Sequence, residues 1–179
     1  MSKVLIVIGS ARKGRVADKV TQYVSRDLSK RSDTTITIAD LKLIDLPFFD
    51  NENSPMSPDY VITDARVQKW SDMVVAADHV IFITPEYNHS LTAIQKNVID
   101  SLASEWIKKP VSAIAYGWTG GSQAVEALRT IMAKLESTVT TTIAQLVFMK
   151  DLQPDGSLID ESAVMAQIKA SVDELIAIA

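Results

Sequence analysis

The chain contains no cysteine and only two histidines in 179 residues. The absence of cysteine excludes disulfide bonds, thiolate nucleophiles, iron–sulfur clusters and cysteine zinc sites, and it fits a reducing compartment. The histidines, His79 and His89, have no partner at a metal-ligand spacing, so we predict no metal site. We expect His79 to be structural, because it precedes an apolar strand. His89 lies beside a polar loop and is a minor candidate for ligand contact.

The sequence also lacks long apolar runs and an excess of positive charge. No run approaches the roughly 20 residues that span a bilayer, and the first ten residues enter a strand pattern without a signal-peptide cleavage region. A net charge of -4 argues against nucleic acid and anionic membranes as partners. With 47% hydrophobic residues, we expect one cytoplasmic domain over residues 1–179.

Short apolar or β-branched runs alternate with segments of helical periodicity. This alternation predicts a doubly wound α/β domain, with helices on both faces of a five-stranded parallel sheet. The common strand order for such a domain is 2-1-3-4-5. The predicted strands cover residues 4–8, 34–39, 80–83, 111–116 and 139–148, and the predicted helices cover residues 16–28, 60–77, 91–103, 122–135 and 161–178.

The loop after the first strand, GSARKGR at residues 9–15, has the features of a phosphate site. Gly9 permits a tight turn, Ser10 offers a hydroxyl, and Arg12 and Arg15 supply positive charge. The helix that starts at Val16 adds free N–H groups and the positive end of its dipole. The loop matches neither the dinucleotide fingerprint nor a Walker loop, so it suits a single terminal phosphate. The alternative is a solvated loop without a ligand.

Two further loops lie at the ends of predicted strands. Residues 85–88 (PEYN) form a rigid turn with an aromatic ring and an amide, and residues 117–121 (GWTGG) bring backbone N–H groups close to a ligand. In the predicted strand order, the loops after strands one, three and four meet at one edge of the sheet. A phosphate site beside an aromatic, amide-rich site suits flavin mononucleotide (FMN), which has a phosphate and a flat ring with imide edges.

Three motifs together resemble the NAD(P)H-dependent FMN reductases: Gly-Ser-Ala-Arg at residues 9–12, Pro-Glu-Tyr-Asn at residues 85–88 and Lys-Asn at residues 96–97. This family has a flavodoxin-like fold and includes quinone, azo-dye and chromate reductases. The resemblance covers nearly the whole chain. It implies bound FMN, NADPH or NADH as co-substrate, a small-molecule electron acceptor and a homodimer or homotetramer.

The resemblance implies a phosphate site at Ser10 and Arg12, and a ring site along residues 85–88 that is closed by residues 117–121. Two departures from the family pattern leave alternatives open. Arg15 stands where many members have a hydroxyl or an amide contact, and Trp118 either narrows the substrate pocket or packs against another subunit. The predicted cofactor-binding residues are Ser10, Arg12, Arg15, Val16, Pro85, Glu86, Tyr87, Asn88, Gly117, Trp118, Thr119, Gly120 and Gly121.

In the mechanism that the resemblance implies, the flavin takes a hydride from NAD(P)H and then reduces an acceptor in the same place, a ping-pong cycle. This cycle requires no acid–base side chain, so we predict no catalytic residue. Glu86 resembles a general base in isolation, but on a tight turn we expect its backbone to contribute. No G-x-S-x-G elbow is present, which argues against a serine hydrolase.

Two other functions remain open: a flavodoxin-type electron carrier without nicotinamide activity, and a flavin-free interaction domain. Segment 41–59 is irregular in pattern and is a lid, an oligomer contact or a surface connection. For an oligomer, the candidate contact residues are Trp106, Trp118, Phe48 and Phe49. The physiological acceptor and the choice between NADH and NADPH are not determined by the sequence.

Overall fold

A computed structural model describes residues 1–178 as a parallel sheet with helices on both faces. The predicted strand order, 2-1-3-4-5, is confirmed. Within the described residues, no helix is both long and apolar enough to span a bilayer. The elements in chain order are β1 (Ser2–Ile8), α1 (Ala17–Leu28), β2 (Thr34–Asp40), α2 (Leu41–Ile44), α3 (Ala65–Ala76), β3 (His79–Pro85), α4 (Ala93–Asp100), a 3-10 turn (Ser104–Trp106), β4 (Pro110–Gly117), α5 (Ser122–Lys134), β5 (Thr138–Val139), β6 (Ala144–Val147) and α6 (Glu161–Ile176).

The central strands of the sheet are buried on both faces, which explains why they are continuous apolar runs rather than alternating ones. In β1, Leu5 and Val7 pack with α3, α4 and α5. Val4, Ile6 and Ile8 point to the opposite face and pack with α1 and α6. Because both faces of β1, β3 and β4 are covered, only the ends of these strands remain free to build a site.

The predicted fifth strand is divided into two short strands, β5 and β6, which both pair with β4. Between β5 and β6, the backbone groups form hydrogen bonds with side chains of two helices. Arg129 on α5 donates to the carbonyls of Thr140 and Thr141 at 2.7 and 2.9 Å. The carboxylate of Glu174 on α6 accepts the N–H groups of Thr141 and Thr142 at 2.6 and 2.8 Å. These four bonds replace ladder bonds, so the strand is interrupted.

Three predicted helices begin at least two residues later, or end at least two residues earlier, than their periodicity suggests. The α3 helix begins at Ala65 because the Asp64 side chain caps it by accepting the N–H of Arg66. A capping box between Thr92 and Gln95 starts α4 at Ala93. The α6 helix ends at Ile176.

Trp70 and Trp106 are both fully buried against the α3–α5 face of the sheet. Trp70 lies in the core as predicted, and its indole donates to the carbonyl of Val98 at 2.8 Å. The prediction that Trp106 belongs to a contact surface is wrong, because its ring packs 6.1 Å from those of Trp70 and Phe82. His79 is buried, and its ring nitrogens contact Ser2 Oγ and the carbonyl of Ile178.

The long connection between α2 and α3 is tied to α4 by Asn97. The Asn97 amide donates to the carbonyl of Pro47 at 2.8 Å and accepts the N–H of Phe49 at 3.0 Å. The Tyr60 hydroxyl adds a bond of 2.8 Å to the carbonyl of Ser101. The connection is therefore fixed against the helix that follows β3, although Phe48 remains 79% exposed.

Candidate functional site

A cavity of about 600 Å³ lies at the carboxyl ends of β1, β3 and β4. This edge is where open α/β sheets hold their ligands. The three loops singled out in the sequence meet there, and all of the predicted site residues line the cavity except Gly120 and Gly121. The lining residues are Ser10, Arg12, Gly14, Arg15, Val16, Pro85, Glu86, Tyr87, Asn88, His89, Tyr116, Gly117, Trp118, Thr119, Phe148 and Pro154.

The first loop offers several hydrogen-bond donors without acceptors. Among residues 1–178, no acceptor is present for the backbone N–H groups of residues 11 and 13–16. The N–H of Arg12 makes only a long contact of 3.5 Å with Ser10 Oγ, and the exposed Arg12 side chain forms no ion pair with a described residue. The N-terminus of α1 follows directly at Ala17. Free N–H groups, a helix N-terminus and an unpaired guanidinium together favour an anion.

Gly9 is the first residue of this loop, and close packing requires a glycine there, rather than the tight turn that we expected. A Cβ atom at Gly9 would lie 2.2 Å from Cδ of Gln95, which is fully buried. Gln95 is held there because its amide donates to Thr84 Oγ1 at 3.0 Å. Thr92 Oγ1 donates to the carbonyl of Gly9 at 2.7 Å. The start of the loop is thereby locked to α4.

Arg15 lines the cavity, but its charge is already paired. Its two terminal nitrogens contact both carboxylate oxygens of Asp40 at 2.7 and 2.5 Å, and its Nε donates to Asp18 at 2.9 Å. It also donates to the carbonyl of Ser10 at 2.6 Å. The bond from Arg15 holds the pKa of Asp40 below its usual value, and Asp40 in turn raises the pKa of Arg15. Arg15 thus fixes the first loop to the end of β2.

The turn after β3 has the geometry of a type I′ turn. Tyr87 and Ser90 exchange both backbone hydrogen bonds, at 3.0 and 3.1 Å. Asn88 and His89 at the centre have positive φ angles of 49° and 61°, as this turn requires. The Tyr87 hydroxyl lies 2.9 Å from Ser10 Oγ, so the aromatic turn touches the first loop directly.

The Glu86 side chain joins the second and third loops. Its carboxylate accepts the Thr119 hydroxyl at 3.1 Å and the N–H of Gln123, in the first turn of α5, at 2.9 Å. At the rim of the cavity, Nδ1 of His89 lies 3.7 Å from Oε1 of Glu86. Because its two oxygens accept from Thr119 and from Gln123, the Glu86 carboxylate caps α5 and braces the second loop against the third.

The third loop is a turn closed by the N–H of Gly120, which donates to the carbonyl of Gly117 at 3.2 Å. Within the described chain, the N–H groups of Trp118 and Thr119 at its tip have no acceptor. Gly120 and Gly121 lie behind the lining. Gly121 precedes α5 with φ of 76°, and a Cβ atom there would lie 2.8 Å from Cβ of Ala115.

The sequence predictions missed four lining residues, Gly14, Tyr116, Phe148 and Pro154, whereas His89, the minor candidate for ligand contact, does line the cavity. The Tyr116 ring is buried, and burial is the main cause of its raised pKa, followed by the neighbouring Tyr87. Phe148 follows β6 and packs edge-on against Tyr116, with centroids 6.1 Å apart. Its position at the carboxyl end of the fifth strand was the signal that could have identified it.

The donor set fits FMN on the evidence of the chain itself. Unpaired N–H groups and Arg12 lie at the loop after β1, which suits a phosphate. Aromatic side chains and free N–H groups lie at the loops after β3 and β4, which suits a flat ring with carbonyl edges. The cavity that joins them is large enough for a ligand of this class.

A family model described as NADPH-dependent FMN reductase matches residues 2–150. An NAD(P)H-dependent FMN reductase of Saccharomyces cerevisiae is 30% identical, covering 97% of this chain and 93% of that protein. An NADPH azoreductase of Bacillus sp. is 29% identical, covering 87% and 82%. The structure of the flavoenzyme NAD(P)H:(acceptor) oxidoreductase FerB from Paracoccus denitrificans shares the fold, with a TM-score of 0.76, 23% identity and 99% coverage of both chains. The chain therefore belongs to the NADPH-dependent FMN reductase family, as its motifs suggested.

Proposed function

We propose that the protein holds FMN in the 600 Å³ cavity and transfers two electrons from NAD(P)H to a small acceptor. Membership of the family makes the chain an oxidoreductase that depends on NAD(P)H and FMN. One observation supports this location for FMN. The anion site after β1 and the two loops after β3 and β4, which suit a flat ring, line the same cavity. A cytoplasmic location, where NAD(P)H is available as reductant, is part of the proposal.

The phosphate would be held by the first loop. Ser10, Arg12 and the N–H groups of residues 13–16 supply the donors, and Val16 lies at the start of α1. Arg15 has a different part in the proposal, because Asp40 and Asp18 already balance its charge. By bonding the carbonyl of Ser10, it would hold the loop in the shape that receives the phosphate.

The ring would lie between the turn at Pro85–Asn88 and the loop from Gly117. Tyr87 and Asn88 offer an aromatic surface and an amide, and Glu86 braces the two loops. The N–H groups of Trp118 and Thr119 have no acceptor among residues 1–178, so they are available to carbonyl oxygens of a ring. Gly120 and Gly121 support this loop from behind.

Bound FMN supplies the redox chemistry, a hydride accepted from NAD(P)H and two electrons given to an acceptor, and we propose that the two substrates bind in turn in a ping-pong cycle. The chain's own residues bind and orient. The backbone N–H groups of Trp118 and Thr119 are already in place, so they would stabilise negative charge on the ring without any rearrangement of the loop. We assign no catalytic side chain, because the proposed cycle requires no acid–base group, and the Glu86 carboxylate has the structural part of bonding Thr119 and Gln123.

The proposed acceptors are small oxidised molecules such as quinones and azo compounds. Relatives include the azoreductase above and a quinone reductase of Pseudomonas putida, 28% identical over 74% of this chain. Free flavin is a further candidate, since an NADH-dependent flavin reductase subunit of Lactobacillus johnsonii is 28% identical over 62% of this chain. Metal oxyanions are also proposed as acceptors, because the family that the motifs resemble includes chromate reductases.

The test is the visible spectrum of the purified protein, followed by anaerobic mixing with NADPH and NADH. We expect a yellow protein whose flavin absorption bleaches with at least one nicotinamide and recovers when a quinone is added. A yellow protein that neither nicotinamide bleaches would be an electron carrier. A colourless protein that does not bind added FMN would be a flavin-free domain.

We also propose a homodimer or homotetramer. Apolar side chains are exposed along the connection before α3, including Phe48 and Met56, which are 79% and 73% exposed. Such a patch suits a subunit contact. Light scattering at micromolar concentration tests it, and a monomer would contradict it.

A further inference from the structure

Trp118 lines the cavity rim, and the cofactor contacts proposed above use only its backbone. Its side chain is 70% exposed, whereas Trp70 and Trp106 are fully buried. A single exposed apolar side chain is ordinary on a protein surface. What distinguishes Trp118 is its position at the mouth of a cavity and the way in which neighbouring groups hold it.

Three aromatic rings form a row from the buried wall of the cavity to its rim. The ring of Phe148 packs edge-on against buried Tyr116, with centroids 6.1 Å apart. The indole of Trp118 packs edge-on against Phe148 at 5.5 Å, with an angle of 68° between the planes. Edge-to-face contacts of this kind are favourable and directional. They fix the indole while most of its surface remains open.

The backbone under Trp118 is fixed as well. The carbonyl of Gly117 accepts the N–H of Gly120 at 3.2 Å and that of Phe148 at 3.0 Å. On the other side of Trp118, the Thr119 hydroxyl donates to Glu86 at 3.1 Å. An aromatic side chain on a fixed turn loses little conformational entropy when a ligand stacks on it. More of the free energy of the stacking contact therefore contributes to affinity.

We propose that Trp118 is a stacking subsite for a flat aromatic ring that reaches the cavity from solvent. Two substrates of the proposed function carry such a ring, the adenine of NAD(P)H and the ring of an aromatic acceptor such as a quinone. The inference rests on the proposed function for these substrates and goes beyond it in assigning the side chain. Trp118 is then a specificity-determining residue and has no part in electron transfer.

The first test compares Trp118→Ala and Trp118→Phe with Leu43→Ala, a control at an exposed apolar residue that does not line the cavity. Loss of stacking on an aromatic ring corresponds to a loss of roughly tenfold in affinity. We expect Trp118→Ala to lower kcat/KM about tenfold for NADPH, for a naphthoquinone or for both. Trp118→Phe should retain most of each value, and Leu43→Ala should match the wild type.

The second test is independent of turnover. The protein as purified is titrated calorimetrically with NADP⁺ and with the same naphthoquinone, which do not react without a reductant. Weaker binding of NADP⁺ alone to Trp118→Ala assigns the subsite to adenine. Weaker binding of the quinone alone assigns it to the acceptor, and weaker binding of both assigns it to each in turn.

Two results would overturn the subsite. One is unchanged binding of both ligands by Trp118→Ala, and the other is a change in its molecular mass by light scattering, which would make Trp118 a subunit contact. Failure of the proposed function is a separate outcome, since it would appear in the wild type as absent FMN or absent oxidation of NADPH. A wild type that binds NADP⁺ or the quinone, together with a Trp118→Ala variant that binds both equally well, overturns the subsite alone.

Discussion

Replacement of Asp40 by Asn removes the carboxylate that holds Arg15 against the first loop. Both oxygens of Asp40 contact Arg15, and the two side chains are only 17% and 10% exposed. Breaking a buried pair costs about 3–5 kcal/mol, and an exposed pair is worth about 0.2–1 kcal/mol. Because some solvent reaches this pair, we expect the free energy of unfolding to fall by about 2 kcal/mol. Asn retains the oxygen that caps α2 by accepting the N–H of Lys42.

The chain offers a matched control in Asp18, the other carboxylate on Arg15. Asp18 is 53% exposed, so Asp18→Asn should cost only about 0.5 kcal/mol. Urea unfolding of the wild type and the two variants gives the comparison. If Asp40→Asn is no less stable than Asp18→Asn, then Arg15 does not depend on Asp40 and the loop is held by other contacts.

The same pair predicts a pH dependence with a definite sign. The hydrogen bond from Arg15 is the largest cause that holds the pKa of Asp40 below its usual value of 3.8. A carboxylate with a lowered pKa stabilises the folded state fully above its unfolded pKa, and this contribution is lost as the pH falls through the folded pKa. The difference in unfolding free energy between wild type and Asp40→Asn should therefore persist at neutral pH and shrink below pH 3.8. A difference that grows on acidification would refute the assignment.

Three other substitutions test separate parts of the account. Arg12→Ala should weaken FMN binding by about 1.5–3 kcal/mol while riboflavin binding is unchanged, because the lost bond goes to phosphate; equal losses for both flavins in fluorescence titrations would contradict this. Gly121→Ala should destabilise the fold by about 2 kcal/mol in urea, since φ there is positive and a Cβ would meet Ala115; a neutral result would show that the turn relaxes. Phe48→Glu should lower the mass measured by light scattering and leave the melting temperature within a few degrees, because the ring is exposed; an unchanged oligomer would place the contact elsewhere.

The sheet and the meeting of the three loops could be predicted because their signals are local. Continuous apolar runs identify β1, β3 and β4 as strands buried on both faces. Once the strand order is known, the polar loops after these strands must lie at one edge of the sheet. Eleven of the thirteen predicted site residues line the cavity for this reason.

Long-range side-chain pairing accounts for what the sequence did not reveal. Arg15 and Asp40 are 25 residues apart, and no local pattern indicates that they form an ion pair. The interruption of the fifth strand depends on Arg129 and Glu174, which lie on two different helices. Trp106 was misplaced because a tryptophan in a short connection shows no periodicity that separates core from surface.

A crystal structure of the protein with FMN bound tests the central claim most directly. We predict phosphate density within hydrogen-bond distance of Arg12 and the N–H groups of residues 13–16. We also predict the ring between Tyr87 and the loop at Trp118. FMN bound instead in a separate cavity of about 420 Å³, which is lined by residues that include Met56, Tyr60 and Ile107, would contradict the account.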